Sequence, residues 1–95
     1  MAARLSQPKE KPDGDDLRAV LAWNVRRFRV ARQLSQEQLA FESELDRTYV
    51  SALERCVWNV AISNVEKIAK ALAVPAWHLL YLPEDTDQKE MSKVG

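Results

Sequence analysis

With 95 residues, of which 46% are hydrophobic, the chain can build one small domain around one core, and an enzyme with a deep cleft is not expected. One cysteine and one histidine exclude an internal disulfide and argue against a metal or other cofactor, and no apolar run suits a membrane span or signal peptide. We therefore expect a soluble cytoplasmic protein, whose fourteen basic and fourteen acidic residues do not by themselves indicate a nucleic-acid partner.

Residues 1–16 are polar and lack periodicity, so we expect a disordered N-terminal tail. A first helix is predicted from Leu17 to about Arg32, because apolar residues then recur at helical spacing. Its predicted buried stripe is Leu17, Leu21, Val25 and Phe28. Trp23 and Val30 fall on the opposite side of this helix, beside Arg27. They are either ordinary exposed apolar residues, with Trp23 lying against the arginine, or a partner surface.

A second short helix is predicted to start near Gln36. Ser35 and Gln38 have capping-box spacing, in which each side chain satisfies the other residue's backbone N–H. Leu39 and Ala40 are its expected buried residues, and a corner follows at residues 44–46.

The third helix should begin after Asp46, whose carboxylate suits an N-cap. Val50 and Leu53 give this helix a narrow inward edge. Its other residues are predicted to face outward: Arg47, Thr48, Tyr49, Ser51, Ala52 and Arg55. A strand is disfavoured here, despite several β-branched and aromatic residues, because alternation and glycine turns are missing.

Two more helices complete the predicted fold. The series Ile62, Val65, Ile68, Ala69 and Leu72 has a helical period, and Pro75 can open a last helix over residues 76–82. Residues 83–95 read as a flexible C-terminal tail. We therefore expect an all-α, compact five-helix bundle spanning residues 17–82.

Three linked motifs lie between Phe28 and Leu80: R-x-x-R-Q-L-S-Q-E-Q-L-A, L-D-R-T-Y-V-S-x-L-E-R and I-A-K-A-L-A-V-P. This segment resembles the XRE-type, or Cro/repressor-like, helix-turn-helix family. The resemblance implies a lambda-repressor-like DNA-binding domain, no enzymatic activity, and double-stranded DNA as the partner. The motif L-D-R-T-Y-V-S followed by N-V is most similar to the controller proteins of restriction-modification systems.

In that family the third helix enters the major groove and the start of the second helix rests on phosphate. The resemblance therefore implies a phosphate contact for Gln36, which the positive end of a helix also favours. It implies base reading by Arg47, Thr48 and Ala52, since arginine can bind guanine and a methyl group can meet thymine. The residues expected at the DNA backbone are Tyr49, Ser51, Arg55 and Asn59. Arg29 and Glu54 match a structural ion pair that ties the first helix to the third.

Controller-like members are homodimers through their last two helices. The sequence supports this independently, because its last helix carries more apolar side chains than a small monomer easily covers. The expected dimer interface is Trp77, Leu80, Tyr81 and Leu82, with ordinary core as the alternative. A two-fold dimer would hold its recognition helices about 34 Å apart and read a near-palindromic operator. No small-molecule ligand and no membrane are expected as partners.

Three positions depart from the family pattern. Glu44 and Cys56 stand where glycine is usual, and a left-handed conformation is costly for both. Ala61 replaces a serine cap, so the fourth helix is predicted to start late, at a capping box of Ser63 and Glu66. Cys56 is read as a small hydrophobe in preference to a redox switch.

A protein-interaction module, antitoxin-like or an adaptor, is the alternative function. Trp23, Trp58 and the balanced charge favour it. The chain shows no nucleophile and base set, no glycine-rich phosphate loop and no metal cluster, so an enzyme is the least favoured class. The operator sequence and the direction of regulation leave no visible trace in the sequence.

Overall fold

The computed structural model describes residues 11–83 of the chain. Within that range the protein is all-helical, with four α-helices, one 3₁₀ helix and no strand. The elements are α1 (Leu17–Ala31), α2 (Gln36–Ser43), α3 (Arg47–Glu54), α4 (Ile62–Leu72) and the 3₁₀ helix (Ala76–Leu80). No helix in this part of the chain is long and apolar enough to cross a membrane. The predicted tails, residues 1–16 and 83–95, lie largely outside the described residues.

One core joins all five elements. α2 packs against α3 and α4, while α1 packs against α3, α4 and the 3₁₀ helix. The core cluster consists of Leu21, Val25, Leu39, Ala40, Val50, Leu53, Val65, Ile68, Ala69, Leu72 and Leu79. Because α3 is wedged between α1 and α2, its position depends on both helices.

The predicted apolar stripes are correct in their middle and wrong at their first residues. Leu21 and Val25 of α1 are buried, but Leu17 is 54% exposed. Likewise Val65 of α4 is buried, but Ile62 is 68% exposed. In both cases the first residue of the helix lies outside the core cluster, so the period continues where the core has ended.

The last element is a 3₁₀ helix of five residues, so the prediction of five α-helices is wrong. Its hydrogen bonds run from the N–H of His78 to the carbonyl of Pro75 and from the N–H of Tyr81 to that of His78. Buried Asn24 of α1 draws this segment inward, since its Nδ2 donates to the carbonyls of Leu79 and Tyr81, each at 2.8 Å. This apolar segment is too short for several helical turns, and a neighbouring side chain supplies hydrogen-bond donors to its backbone carbonyls.

The fourth helix starts at Ile62, so the predicted late start is also wrong. Ala61 is its N-cap and supplies no side-chain hydrogen bond. Tyr49 of α3 satisfies a different group, because its hydroxyl accepts the Ala61 N–H at 3.3 Å. A tertiary contact thus takes the place of the side chain that accepts the N-cap N–H in a capping box, whereas the first turn of α4 gains no acceptor from the side chain of its N-cap.

Among residues 11–83, four non-glycine residues adopt the left-handed backbone conformation: Gln33, Glu44, Cys56 and Ala73. The predictions for Glu44 and Cys56 are confirmed, with φ angles of 60° and 61°. These residues end or follow α2 and α3, where the turn of the chain requires positive φ. The strain is therefore shared by the turns that end α1, α2, α3 and α4.

Candidate nucleic-acid interface

The N-terminus of α2 is built by a capping box. Ser35 Oγ accepts the Gln38 N–H at 3.0 Å, and Gln38 Oε1 accepts the Ser35 N–H at 2.7 Å. Both bonds are exposed, so this end of α2 lies at the surface. A helix start carries more N–H groups than one capping box uses, and it favours an anion. This end of α2 can therefore receive a phosphate group.

α3 begins at the corner that follows α2. Asp46 caps it, since Oδ1 accepts the Thr48 N–H at 3.1 Å. Arg47 and Thr48 are both exposed on its first turn. The two residues expected to read bases are therefore exposed to solvent. They are the first two residues of α3, directly after the corner that joins α2 to α3.

Ala52 does not face outward, and that prediction is wrong. It is 1% exposed, although it lies away from Val50 and Leu53 on a helical wheel. α3 contacts both α1 and α2. More of its circumference is therefore buried than the single inward edge of Val50 and Leu53 predicts. A single methyl group is small enough to be enclosed there. Ala52 is therefore not available to a DNA base in this structure.

Tyr49 links α3 to the loop that follows it. Besides accepting the N–H of Ala61, its ring meets the edge of Trp58 with a centroid distance of 6.0 Å. It is half-buried and packs against the core, so it is less outward than predicted. Trp58 itself is exposed, as is the neighbouring Asn59. The loop thus carries an aromatic surface beside α3.

The remaining candidates for the DNA backbone lie on the outer edge of α3. Arg55 is exposed and Ser51 is half-buried, and Arg55 Nε donates to Ser51 Oγ at 3.4 Å. This long and exposed bond is weak, so Arg55 is free to turn toward a phosphate.

A buried carboxylate connects α1, α2 and α3. Glu54 accepts from Arg29 twice, at 2.7 Å from Nε to Oε2 and at 3.0 Å from Nη2 to Oε1. The expected Arg29 and Glu54 pair is thus a forked, buried ion pair. Gln36 Nε2 also donates to Glu54 Oε1, at 3.1 Å, and Arg26 lies 4.0 Å from the same oxygen. The sequence pattern did not predict the Gln36 contact, because it depends on how α2 and α3 cross.

Trp23 lies against Arg27, which is the contact expected for it within this chain. The guanidinium of Arg27 lies 4.7 Å from the centre of the Trp23 ring and 4.6 Å from that of Phe28. Burial lowers the pKa of the Arg27 guanidinium. At Arg26 burial lowers the pKa as well, and the nearby Arg29 charge adds to the effect. Both side chains remain cations at neutral pH, because a guanidinium starts from so high a pKa.

The face expected to form a dimer interface carries clustered aromatic rings. Trp77 is 64% exposed and stacks on His78 with a centroid distance of 5.0 Å. Tyr81 is also exposed and meets both rings edge-on. Leu80 and Leu82 are half-buried, so they contribute to the monomer's own packing as well. The sequence did not single out His78 as the centre of this cluster.

Cys56 is half-buried at the end of α3, with Sγ 3.7 Å from the carbonyl oxygen of Arg18. Burial raises the pKa of its thiol, the Asp16 charge raises it further, and Arg18 lowers it. A raised pKa leaves little thiolate at neutral pH, which disfavours redox chemistry. The interpretation of Cys56 as a small hydrophobe therefore fits its surroundings better.

Comparison with known proteins matches residues 25–76 to the helix-turn-helix family. The chain is 56% identical over 85 residues to a hypothetical transcription factor of Neisseria meningitidis, covering 90% of this chain and 80% of that protein. It is 45% identical over 67 residues to the control protein C.BamHI of Bacillus amyloliquefaciens, covering 70% of this chain and 83% of that protein.

Solved structures give the same result. The crystal structure of a hypothetical transcription factor from Neisseria has a TM-score of 0.79 at 54% identity, covering 94% of this chain and 97% of that one. C.Esp1396I bound to a 19 base pair DNA duplex has a TM-score of 0.64 at 32% identity, covering 80% of this chain and 96% of that one. The chain therefore belongs to the XRE-type helix-turn-helix family of DNA-binding transcription regulators, with restriction-modification controller proteins among its relatives.

Proposed function

We propose that this regulator acts as a homodimer that reads a near-palindromic operator through α3, in the manner of a restriction-modification controller, and that it regulates its own gene. The observation that carries this proposal is the exposure of Arg47 and Thr48 on the first turn of α3, together with the surface position of the anion-favouring start of α2. Such an arrangement lets one helix enter the major groove while the other rests on the backbone.

Base reading is assigned to the start of α3. Arg47 can donate two hydrogen bonds to guanine O6 and N7, and the Thr48 methyl group can contact thymine. Ala52 is left out of this set because it is buried. Specificity should therefore reside in the first turn of α3, with little contribution from its middle.

Positioning is assigned to residues at the start of α2 and around the end of α3. Gln36 at the start of α2 and the exposed residues Arg55 and Asn59 are suited to phosphate contacts. Ser51 and Tyr49 are half-buried, so only the solvent-exposed atoms of these two side chains are available to contact DNA. These contacts fix the register of α3 in the groove without selecting a base.

The exposed aromatic face around Trp77 supports a two-fold dimer. Isolated small proteins seldom leave a large aromatic cluster in water, and a second copy of the same face would cover it. Domain boundaries at residues 17–82 agree with this assignment, since both the DNA-reading and the dimerising residues fall inside them. Two copies of α3 would then meet successive turns of one side of the duplex.

Selection of bound duplexes from a random pool tests this function. We expect enrichment of a site with two inverted half-sites whose centres are about one helical turn apart. Enrichment of a single, non-symmetric half-site would contradict the dimer, and failure to enrich any sequence would contradict base reading.

A protein-interaction module is a second candidate, and one observation favours it. Phe41 is 84% exposed on α2, and the exposed loop residues Val57 and Trp58 add apolar surface. The dependence of affinity on salt separates the two functions. Phosphate contacts give an affinity that falls steeply with salt, whereas apolar protein contacts do not.

A further inference from the structure

The buried carboxylate of Glu54 contacts a residue that the structural ion pair does not require. Arg29 already gives it a forked pair, with donor distances of 2.7 and 3.0 Å. The third donor is the side-chain amide of Gln36, at 3.1 Å. Glu54 is 3% exposed, whereas Gln36 is half-buried and reaches the surface at the start of α2. The buried Glu54 carboxylate thus holds the side chain of Gln36 at the surface proposed to face DNA.

We propose that Glu54 is a positioning residue for DNA binding, which orients the Gln36 amide so that it donates a hydrogen bond to a backbone phosphate. This inference rests on the proposed function, because it deepens the role assigned there to Gln36. The link is a single shared atom, Oε1, which accepts from both Gln36 and Arg29.

The orientation of the Gln36 side-chain amide matters because its two ends differ in hydrogen-bonding chemistry. A glutamine side chain ends in a donor and an acceptor of nearly equal shape, and only the donor end can bind a phosphate. A carboxylate accepts and never donates when it is ionised, so it selects the nitrogen of Gln36 and turns the oxygen away. The nitrogen carries two hydrogens, of which Glu54 uses one. The second hydrogen remains for a phosphate oxygen.

The surroundings fix the carboxylate itself. Arg29 also donates from Nη1 to the carbonyl of Leu34 at 2.8 Å, in the turn just before α2. Arg29 therefore sets both the loop that leads into α2 and the carboxylate that orients its first residue. Preorganisation of this kind strengthens binding by removing the cost of ordering a side chain at the moment of contact.

A double-mutant cycle on the full-length protein tests the proposal. Operator affinity is measured for wild type, Gln36→Ala, Glu54→Gln and the double variant. We expect Gln36→Ala to weaken binding about tenfold and to leave the slope of log affinity against log salt unchanged, because a neutral amide releases no counterion from the phosphate. We expect Glu54→Gln to weaken binding roughly fivefold in the wild-type background and less than about twofold when Gln36 is already absent. Equal effects in the two backgrounds would overturn the proposal.

Ile68→Val is the matched control for lost stability. It removes one buried methyl group from α4, so it should destabilise the fold while leaving Arg29, Glu54 and Gln36 unchanged. DNA affinity should then fall by less than for Glu54→Gln at the same fraction folded. An equal or larger fall would show that packing, and not orientation of Gln36, controls binding.

A measurement without DNA covers the case in which Glu54→Gln fails to fold. In the wild-type protein the two side-chain amide protons of Gln36 should differ in solvent exchange, with one protected by Glu54. Gln33 is exposed and serves as the internal reference. Exchange of the Gln36 amide at the same rates as Gln33 would overturn the inference. Absence of DNA binding by the wild-type protein, with a protected Gln36 amide, would overturn the proposed function instead.

Discussion

Individual residues at the start of α3 carry the specificity proposed for this regulator. Arg47 is exposed on the first turn of α3, which Asp46 caps. We predict that Arg47→Ala costs about 1 to 3 kcal/mol of operator binding and relaxes the preference at one base pair, because a bidentate contact to guanine is lost. Competition binding against operators mutated one position at a time measures this.

Gln36→Ala is the control for Arg47→Ala. It should weaken binding to all operator sequences by a similar factor, because a phosphate contact does not select a base. Wild-type affinity in the Arg47→Ala variant would mean that another part of the molecule reads the bases.

The Cys56 thiol offers a second prediction at this scale. Burial and the Asp16 charge raise its pKa, so less thiolate is present at a given pH than for a free cysteine. Alkylation by iodoacetamide should therefore be slower than for free cysteine at neutral pH and should rise only at higher pH. Asp16→Asn keeps an N-cap side chain at α1 and removes one charge, so it should increase the rate. A rate profile equal to that of free cysteine would contradict the assignment of Cys56 as a buried hydrophobe.

At the scale of a single element, the helix ends are the places where stability can be gained. Glu44 ends α2 with a φ of 60°, where a side chain is strained and glycine is not. We predict that Glu44→Gly raises the free energy of unfolding by about 0.5 to 1 kcal/mol, because relief of strain exceeds the added flexibility of the unfolded chain. Urea unfolding followed by circular dichroism measures the change.

Glu42→Gly is the matched control, because Glu42 is an exposed residue inside α2. This variant should lose about 1 kcal/mol, since glycine in a helix interior is unfavourable. A loss of stability in both variants would show that Glu44 makes a contact that outweighs its strain.

The start of α4 permits a similar test. Ala61 caps the helix without a side-chain hydrogen bond. Ala61→Ser should add about 1 kcal/mol of stability by supplying the missing acceptor. Ser63→Ala should change stability by less than about 0.5 kcal/mol, because α4 does not start at Ser63. A larger loss of stability in Ser63→Ala would show that Ser63 caps α4, as the sequence predicts.

At the scale of the whole molecule, the aromatic face around Trp77 determines the proposed assembly. Trp77→Ala should weaken the dimer by about 2 kcal/mol or more, because exposed tryptophan residues are frequent hot spots of interfaces. Sedimentation equilibrium over a range of protein concentrations measures this. Phe41→Ala removes an exposed aromatic ring from a different face and should leave the dimer unchanged. A dimer lost in Phe41→Ala but kept in Trp77→Ala would move the interface to α2.

The local features of this protein follow from its sequence. Capping at Ser35 and Asp46, the corner at Glu44 and the end of α3 near Cys56 depend on residues close to one another in the chain, so short-range spacing predicts them. The exposed start of α3 follows for the same reason. The family resemblance adds the fold, because its motifs are linked over more than half of the chain.

The tertiary structure decided what depends on distant neighbours. Ala52 is enclosed because α3 packs on two sides, and Asn24 of α1 satisfies the carbonyls of Leu79 and Tyr81 at the end of the 3₁₀ helix. Asn24 gave a signal, as a polar residue on the apolar face of α1. Glu54 and Gln36 lie eighteen positions apart, and no periodicity connects them. The sequence by itself determined the capped starts of α2 and α3 and the corner between them, whereas the crossing of the helices decided which side chains meet, because packing brings together residues that the chain keeps apart.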